Sequence, residues 1–424
     1  MARRCFEPRP SRYTNEVSQR KGGNGLLDQF APELQLAVAC CRFPPDDDGA
    51  RAAVAKAAAQ VSSWPVFEAL VGRHRIDGLA NLALADCQAV PREVRARLAG
   101  RARERAAFDL LLAASTIRLQ QRFDEAGLPA LFIKGAAVGV LAFGGLGIKR
   151  SWDIDLLTTA DCVEPALQLL EREGFRLESP SGLGAEGLRR FVRFYHEAVL
   201  RDARGVPVEL HWRLSGKPHL LPGVTARSQH QTVDLGGQQV RTLGDDLLIP
   251  YLIAHGQEHG WSRLKWLADL NALLSRRPVE EIERLSLGAE TLGVGDSASA
   301  ALFLCSRLLG LRLPPNLEAR LSRRAVQRLV RTDLACIAHP YGGSDLPIMS
   351  RANLALLASR VRSATGWRGV ASELGAIWIQ PAVRARFPVH LNFLYHILRI
   401  PLFLAGLPLK LRALRRAARA GRIP

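Results

Sequence analysis

The chain has 424 residues, 48% of them hydrophobic and 23% charged, a composition that supports a buried core over two or three domains and excludes wholesale disorder. Its formal charge of +18 is mostly terminal: residues 1–25 hold six basic and two acidic side chains and residues 374–424 nine basic and none acidic, leaving +5 for the 348 residues between. That excludes a fold coated in positive charge for nucleic acid, and no apolar run approaches the roughly 20 residues that span a bilayer.

In chain order, residues 1–25 are rich in Arg, Pro and Gly, lack the apolar stretch of a secretory signal, and are expected to form a disordered basic arm. Residues 26–125 carry a helical pattern, broken by the Pro44-Pro45-Asp46-Asp47-Asp48-Gly49 turn and ending in a long amphipathic stretch over Pro91–Asp124. The texture changes at Gly127-Leu128-Pro129. Ala130–Ile133 reads as a short strand, Lys134-Gly135 as a turn, and the small and apolar residues to Phe143 as a helix. After a glycine-rich connection, Asp153–Thr158 reads as a second strand and Glu164–Glu173 as a helix. Glu197–Arg201 and Val206–Leu210, joined by Asp202-Ala203-Arg204-Gly205, read as a hairpin. Beyond Asp245 the helical pattern returns to about residue 380, and residues 381–424 form a basic amphipathic tail.

The seven cysteines are sparse and form no C-x-x-C pair, so they read as reduced thiols of a cytoplasmic protein, and a structural zinc site is not expected.

Asp153 and Asp155 are the centre of the chemical reading. At i and i+2 of a strand both carboxylates leave one face while Ile154 enters the core. Two adjacent carboxylates repel unless a cation lies between them, and hard oxygen ligands suit Mg²⁺. A chance D-x-D in a loop is the alternative, but Leu156-Leu157 make this the start of a buried strand, where unpaired acids are costly. Glu209, alternating with Val206, Val208 and Leu210, is the natural third acid; the solvated face of an edge strand is its alternative. Lys134-Gly135, between strand and helix, places glycine where backbone approaches a phosphate and aims helix N-terminal amides at it. Arg150 either binds phosphate or faces water.

These parts in this order resemble the nucleotidyltransferase superfold of DNA polymerase β and its relatives. More closely, the chain resembles a bacterial nucleotidyltransferase family found near lasso-peptide and polysaccharide clusters. The resemblance rests on Phe132-Ile133-Lys134-Gly135-Ala136-Ala137, on Arg150-Ser151-Trp152-Asp153-Ile154-Asp155-Leu156-Leu157, on Val208-Glu209-Leu210-His211-Trp212, and on His255-Gly256 followed by His259 through Asp269. These blocks cover about residues 30–275. The resemblance implies an α+β fold, a minimal nucleotidyltransferase mixed sheet at 126–245, flanked by helical N- and C-terminal regions at 26–125 and 246–380. It also implies Mg²⁺ (or Mn²⁺) on catalytic Asp153, Asp155 and Glu209, and transfer of a nucleotidyl group from a nucleoside triphosphate, ATP among the candidates. The acceptor is peptide, protein, sugar or RNA. Lys134, Gly135, Arg150, His255, His259, Arg263, Lys265 and Asp269 are then nucleotide-binding candidates, a structural network being the alternative for the last five. One departure stands out: the superfold's glycine-serine turn is Gly135-Ala136 here, so Lys134 takes the hydroxyl's place at phosphate. A non-catalytic nucleotide-binding or scaffold protein of the same fold is the rival reading.

His255, Glu258 and His259 also spell H-x-x-E-H, a reversed zinc-protease order, but no third-ligand motif follows. His196 and His211 flank the hairpin and either line the nucleotide or acceptor cleft or belong to a structural network, and Trp212 and Trp266 are expected in the core. The tail alternates apolar runs with Arg399, Lys410, Arg412, Arg415, Arg416, Arg419 and Arg422. That suits an anionic membrane surface, placing the protein peripherally on the inner membrane face, or a tail on nucleic acid or an acidic partner; packing of Leu391–Leu398 on the body is the alternative.

Overall fold

The computed structural model describes residues 25–339, residues 351–363 and single residues between 367 and 401. The expected arm (apart from Gly25) and most of the expected tail lie outside the described residues.

Five helices open the chain: α1 (Pro32–Ala39), α2 (Asp48–Ala58), α3 (Trp64–His74), α4 (Asp77–Leu84) and α5 (Arg92–Glu125). Their starts follow from local chemistry. Asp47 caps α2 by accepting from the Ala50 N–H, and Pro65 sits in the first turn of α3, where a missing N–H costs nothing. Then follow β1 (Leu131–Phe132), α6 (Gly135–Phe143), β2 (Ile154–Leu157), α7 (Val163–Arg172), β3 (Arg176–Ser179), α8 (Ala185–Phe194), β4 (Glu197–Arg201), β5 (Pro207–His211), β6 (His230–Asp234) and β7 (Gln239–Leu243). The remainder is helical: α9 (Asp245–Glu258), α10 (Leu264–Ser275), α11 (Val279–Thr291), α12 (Gly295–Leu304), α13 (Glu318–Leu321), α14 (Arg324–Ala338) and α15 (Arg351–Ser363). None of the described helices is long and apolar enough to cross a membrane.

The fold is α+β, as the resemblance implies. One mixed sheet runs in the order β1-β2-β5-β4-β3, and only the β2–β5 pair is parallel. β6 and β7 form a separate antiparallel hairpin. The sequence pattern shows neither that hairpin nor β3, for a physical reason: β3 is largely exposed, and in β6 only Val233 is buried, so apolar alternation is absent.

Two apolar cores support the sheet. In one, Ile154, Leu156, Val208, Leu210, Ala198 and Leu200 pack on Leu112, Leu119 and Phe123 of α5 and on Val163, Ala166, Leu167 and Leu170 of α7. The other joins α1–α4 to α6, α9–α12 and α14. The helices before and after the sheet therefore share a core. Polar ties cross the same boundary: the Leu264 N–H donates to His74 Nδ1 at 3.1 Å, and Arg73 donates to the carbonyls of Cys336 and Ile337.

Candidate active site

The parallel register of β2 and β5 sets Asp155 against Glu209 and Leu157 against His211. On the other side of β5, β4 sets Glu197 against His211. Because alternate strand residues share a face, Asp155, Glu209, His211 and Glu197 leave one side of the sheet, opposite its apolar core, and Asp153 continues that face just before β2. Helices α9 and α10 stand across from it. Between them lies a cleft of about 460 Å³, whose lining includes Lys134, Gly135, Asp153, Asp155, Glu197, Glu209 and His211.

Lys134 closes the acidic face from the side. Its Nζ lies 2.5 Å from Asp155 Oδ1, with the carboxylate buried and the lysine partly so. Burial alone would raise the Asp155 pKa; the Lys134 ammonium, then His211, outweigh it and hold the carboxyl well below the usual range. Asp153 goes the other way, pushed up by burial and by the Asp155 charge. His211 Nε2 lies 3.4 Å from Asp155 and 3.6 Å from Glu209, and its Nδ1 lies 3.4 Å from Glu197. Burial opposes a charged imidazole, but these carboxylates prevail and push its pKa up to about 9. Gly135 opens α6 at φ +63°, and a Cβ there would meet only ordinary contact with the Asp153 carbonyl at 3.5 Å. Glycine is needed for the backbone conformation, not for space.

Asp155, Glu209 and His211 form a group that could hold a metal ion, with one donor atom from each all within 4.8 Å of one another. Asp153 lines the same cleft beside them. A metal ion held there would compete with Lys134 for Asp155 Oδ1 and would require the His211 ring to give up a proton. The two carboxylates offer hard oxygen donors to a divalent cation, and the imidazole adds a nitrogen donor of a kind Mg²⁺ does not prefer. His255, Glu258 and His259 form no such group among the described residues; Lys217 and Arg360 draw Glu258 into ion pairs at 3.6 and 3.5 Å.

The other candidates divide. His255, His259, Arg263, Lys265 and Asp269 all line the cleft. Burial pushes the pKa of His255 well below that of a free imidazole, with Lys134 and His259 adding to the effect, and burial lowers that of His259 against the pull of Glu258. Both rings are therefore neutral at pH 7. Burial and the nearby Lys149 pull Lys265 down to about 8. Asp269 forms a buried ion pair with Lys149. Arg150 is turned away from the cleft: its Nη1 donates to Asp77 at 2.9 Å, where Arg101 also binds. A buried carboxylate 73 positions earlier, invisible to any local pattern, is the physical reason.

Trp212 is in the core as expected, its indole N–H donating to the carbonyls of Val192 and Tyr195. Trp266 is partly buried against the other core and also lines the cleft, where it stacks on His259 at 5.0 Å between ring centroids. Glu197, Lys149 and Tyr251 also line the cleft without having been singled out from the sequence. For His211 a signal exists: it follows Glu209 by two positions on the same strand face.

A family model described as uncharacterised nucleotidyltransferase matches residues 60–310. The chain belongs to this nucleotidyltransferase family. The match begins just before α3 and ends beyond α12, so it takes in every residue that lines the cleft. A solved structure is also similar, that of an antigenic nucleotidyltransferase-like protein from Paracoccidioides brasiliensis, at 17% identity over 49% of this chain and 96% of that one, with a TM-score of 0.30. No curated protein matches.

Proposed function

We propose that this protein transfers a nucleotidyl group from a nucleoside triphosphate to an acceptor in a reaction that depends on Mg²⁺ or Mn²⁺. The observation that carries the reading is the parallel register of Asp155 with Glu209, flanked by Lys134 at a glycine turn and facing a cleft large enough for a nucleotide. Asp155, Glu209 and His211 would hold the metal, with Asp153 beside them. When bound, the metal supplies positive charge to the phosphates. Lys134 and Lys265 add ammonium groups to the phosphate path, and the Gly135 turn brings α6 amides to it. Neutral His255 and His259 offer ring donors and acceptors without charge.

The test incubates purified protein with labelled nucleoside triphosphates, Mg²⁺ or Mn²⁺, and cell extract, reading label transfer and pyrophosphate release. Wild type is active and Asp155→Asn inactive; equal release by both refutes the reading.

A second reading, nucleotide binding without turnover, is favoured by the absence of a hydroxyl at Gly135-Ala136 and by the tight hold of Lys134 on Asp155. Metal binding lost in Asp155→Asn, with no pyrophosphate released by wild type, would establish it.

A further inference from the structure

Trp152 immediately precedes Asp153 and lines the same cleft, yet 47% of it is exposed, which is unusual for the largest apolar side chain in a concave site. The Arg75 guanidinium, also in the cleft wall, lies 5.2 Å from the indole centroid. Arg75 ends α3 at φ 58° and ψ 45°, a left-handed conformation that glycine adopts freely and arginine only at a cost. An arginine in that place is explained by what its side chain reaches, since the turn itself favours glycine. Among the described residues Arg75 forms no ion pair, so its charge faces the indole and the cleft.

The two segments are tied together behind this pair. Arg150, two residues before Trp152, is bound to Asp77, two residues after Arg75. Gly78 brings α4 so close to the loop that a Cβ there would fall 2.4 Å from the Ile148 carbonyl oxygen. Arg150, held by Asp77, also lies 5.8 Å from the indole centroid. The pair lines the cleft with the indole partly exposed, and the segments that carry it are tied by Arg150 and Asp77. A stacking surface held by packed and hydrogen-bonded neighbours is what recognition of a flat ring requires.

We infer that Trp152 and Arg75 form the subsite for the nucleobase, the indole stacking on the base and the guanidinium closing over it, while the phosphates run inward past Lys134 to the carboxylates. Aromatic and guanidinium planes are the groups proteins use to hold unpaired bases. The inference rests on the nucleotide reading of the cleft. It assigns base contact to the segment that also carries Asp153, which sets the distance between base and phosphates.

The test is calorimetric titration of the full chain, at fixed Mn²⁺, with ATP and separately with inorganic tripolyphosphate, for wild type, Trp152→Ala and Trp152→Phe. Wild type binds ATP more tightly than tripolyphosphate. Trp152→Ala weakens ATP roughly tenfold or more and leaves tripolyphosphate unchanged, and Trp152→Phe retains most of the ATP affinity. Equal ATP affinity in Trp152→Ala and wild type, or equal losses of both ligands, overturns the subsite while leaving the nucleotide reading intact. Failure of wild type to bind either ligand overturns the nucleotide reading and the subsite with it.

Discussion

Gly256 lies inside α9, between the turns that carry His255 and His259, where glycine weakens a helix by about 1 kcal/mol relative to alanine. Propensity alone therefore predicts that Gly256→Ala stabilises the protein. The structure predicts the opposite. A Cβ at this position would lie 2.4 Å from Cη2 and Cζ3 of Trp261 and 2.6 Å from Cε3, whereas carbon atoms in contact prefer about 3.5–4.0 Å. Ring or helix would have to move by about 1 Å. The indole cannot retreat, because Trp261 is fully buried and its backbone is held at φ 48°. Overpacking of this kind costs about 1–3 kcal/mol, against a propensity gain of about 1 kcal/mol, so the expected net loss reaches about 2 kcal/mol. Thermal unfolding followed by tryptophan fluorescence should show a Tm lower by several degrees. Gly100→Ala is the matched control: it too is helical, in α5, and an added Cβ would meet nothing within 4 Å, so it should stabilise by about 0.5–1 kcal/mol. A Gly256→Ala protein more stable than wild type would refute the packing argument, and it would do so most plainly if Gly100→Ala behaved as expected.

Three further outcomes can be measured. If His211 is the third ligand, His211→Ala weakens Mn²⁺ binding by about tenfold or more in a paramagnetic-resonance titration, and more than Asp153→Asn does; the reverse order would restore the all-carboxylate set. Asp109, buried and pushed up to about 6 chiefly by that burial, accepts from the Ser151 N–H at 2.9 Å, two residues before Asp153. Asp109→Ala should cost about 1–3 kcal/mol by leaving that donor unmet, while Asp109→Asn, which keeps an acceptor, should cost clearly less; equal losses would count against the bond. Burial also raises the Asp333 carboxyl well above its ordinary value of 3.8, against the hydrogen bond from Gln257. The folded state then binds its proton more tightly than the unfolded state, so stability present below about pH 4 is lost as pH rises toward the raised value. Asp333→Asn escapes that loss, and its Tm relative to wild type should climb from pH 4 to pH 8; parallel curves would refute the assignment.

Much of the site is legible along the chain. Asp153 and Asp155 at the head of an apolar strand, Glu209 between valine and leucine, and Lys134-Gly135 between strand and helix are local patterns, and the structure gathers all of them in one cleft. Arg150 shows where such patterns end: its position in the motif places it near the acids, but Asp77 competes for the guanidinium and holds it elsewhere. Trp266 is legible only in part for a related reason. An aromatic residue among apolar ones reads as core, and only the tertiary structure adds its stacking with His259 in the cleft wall.

Periodicity and punctuation suffice for the long amphipathic helix, for the hairpin of β4 and β5, and for which strand residues face away from the core, because each depends on neighbours a few positions apart. The pairing of β2 with β5 depends on contacts across more than fifty positions, and so does everything built on it: Asp155 beside Glu209, His211 within reach of both, and Lys134 drawn onto Asp155. The single core shared by the helices before and after the sheet is of the same kind. Side chains brought together by tertiary packing leave no spacing in the sequence, and the field each one feels, which holds Asp155 ionised and keeps His255 neutral, exists only once they have met.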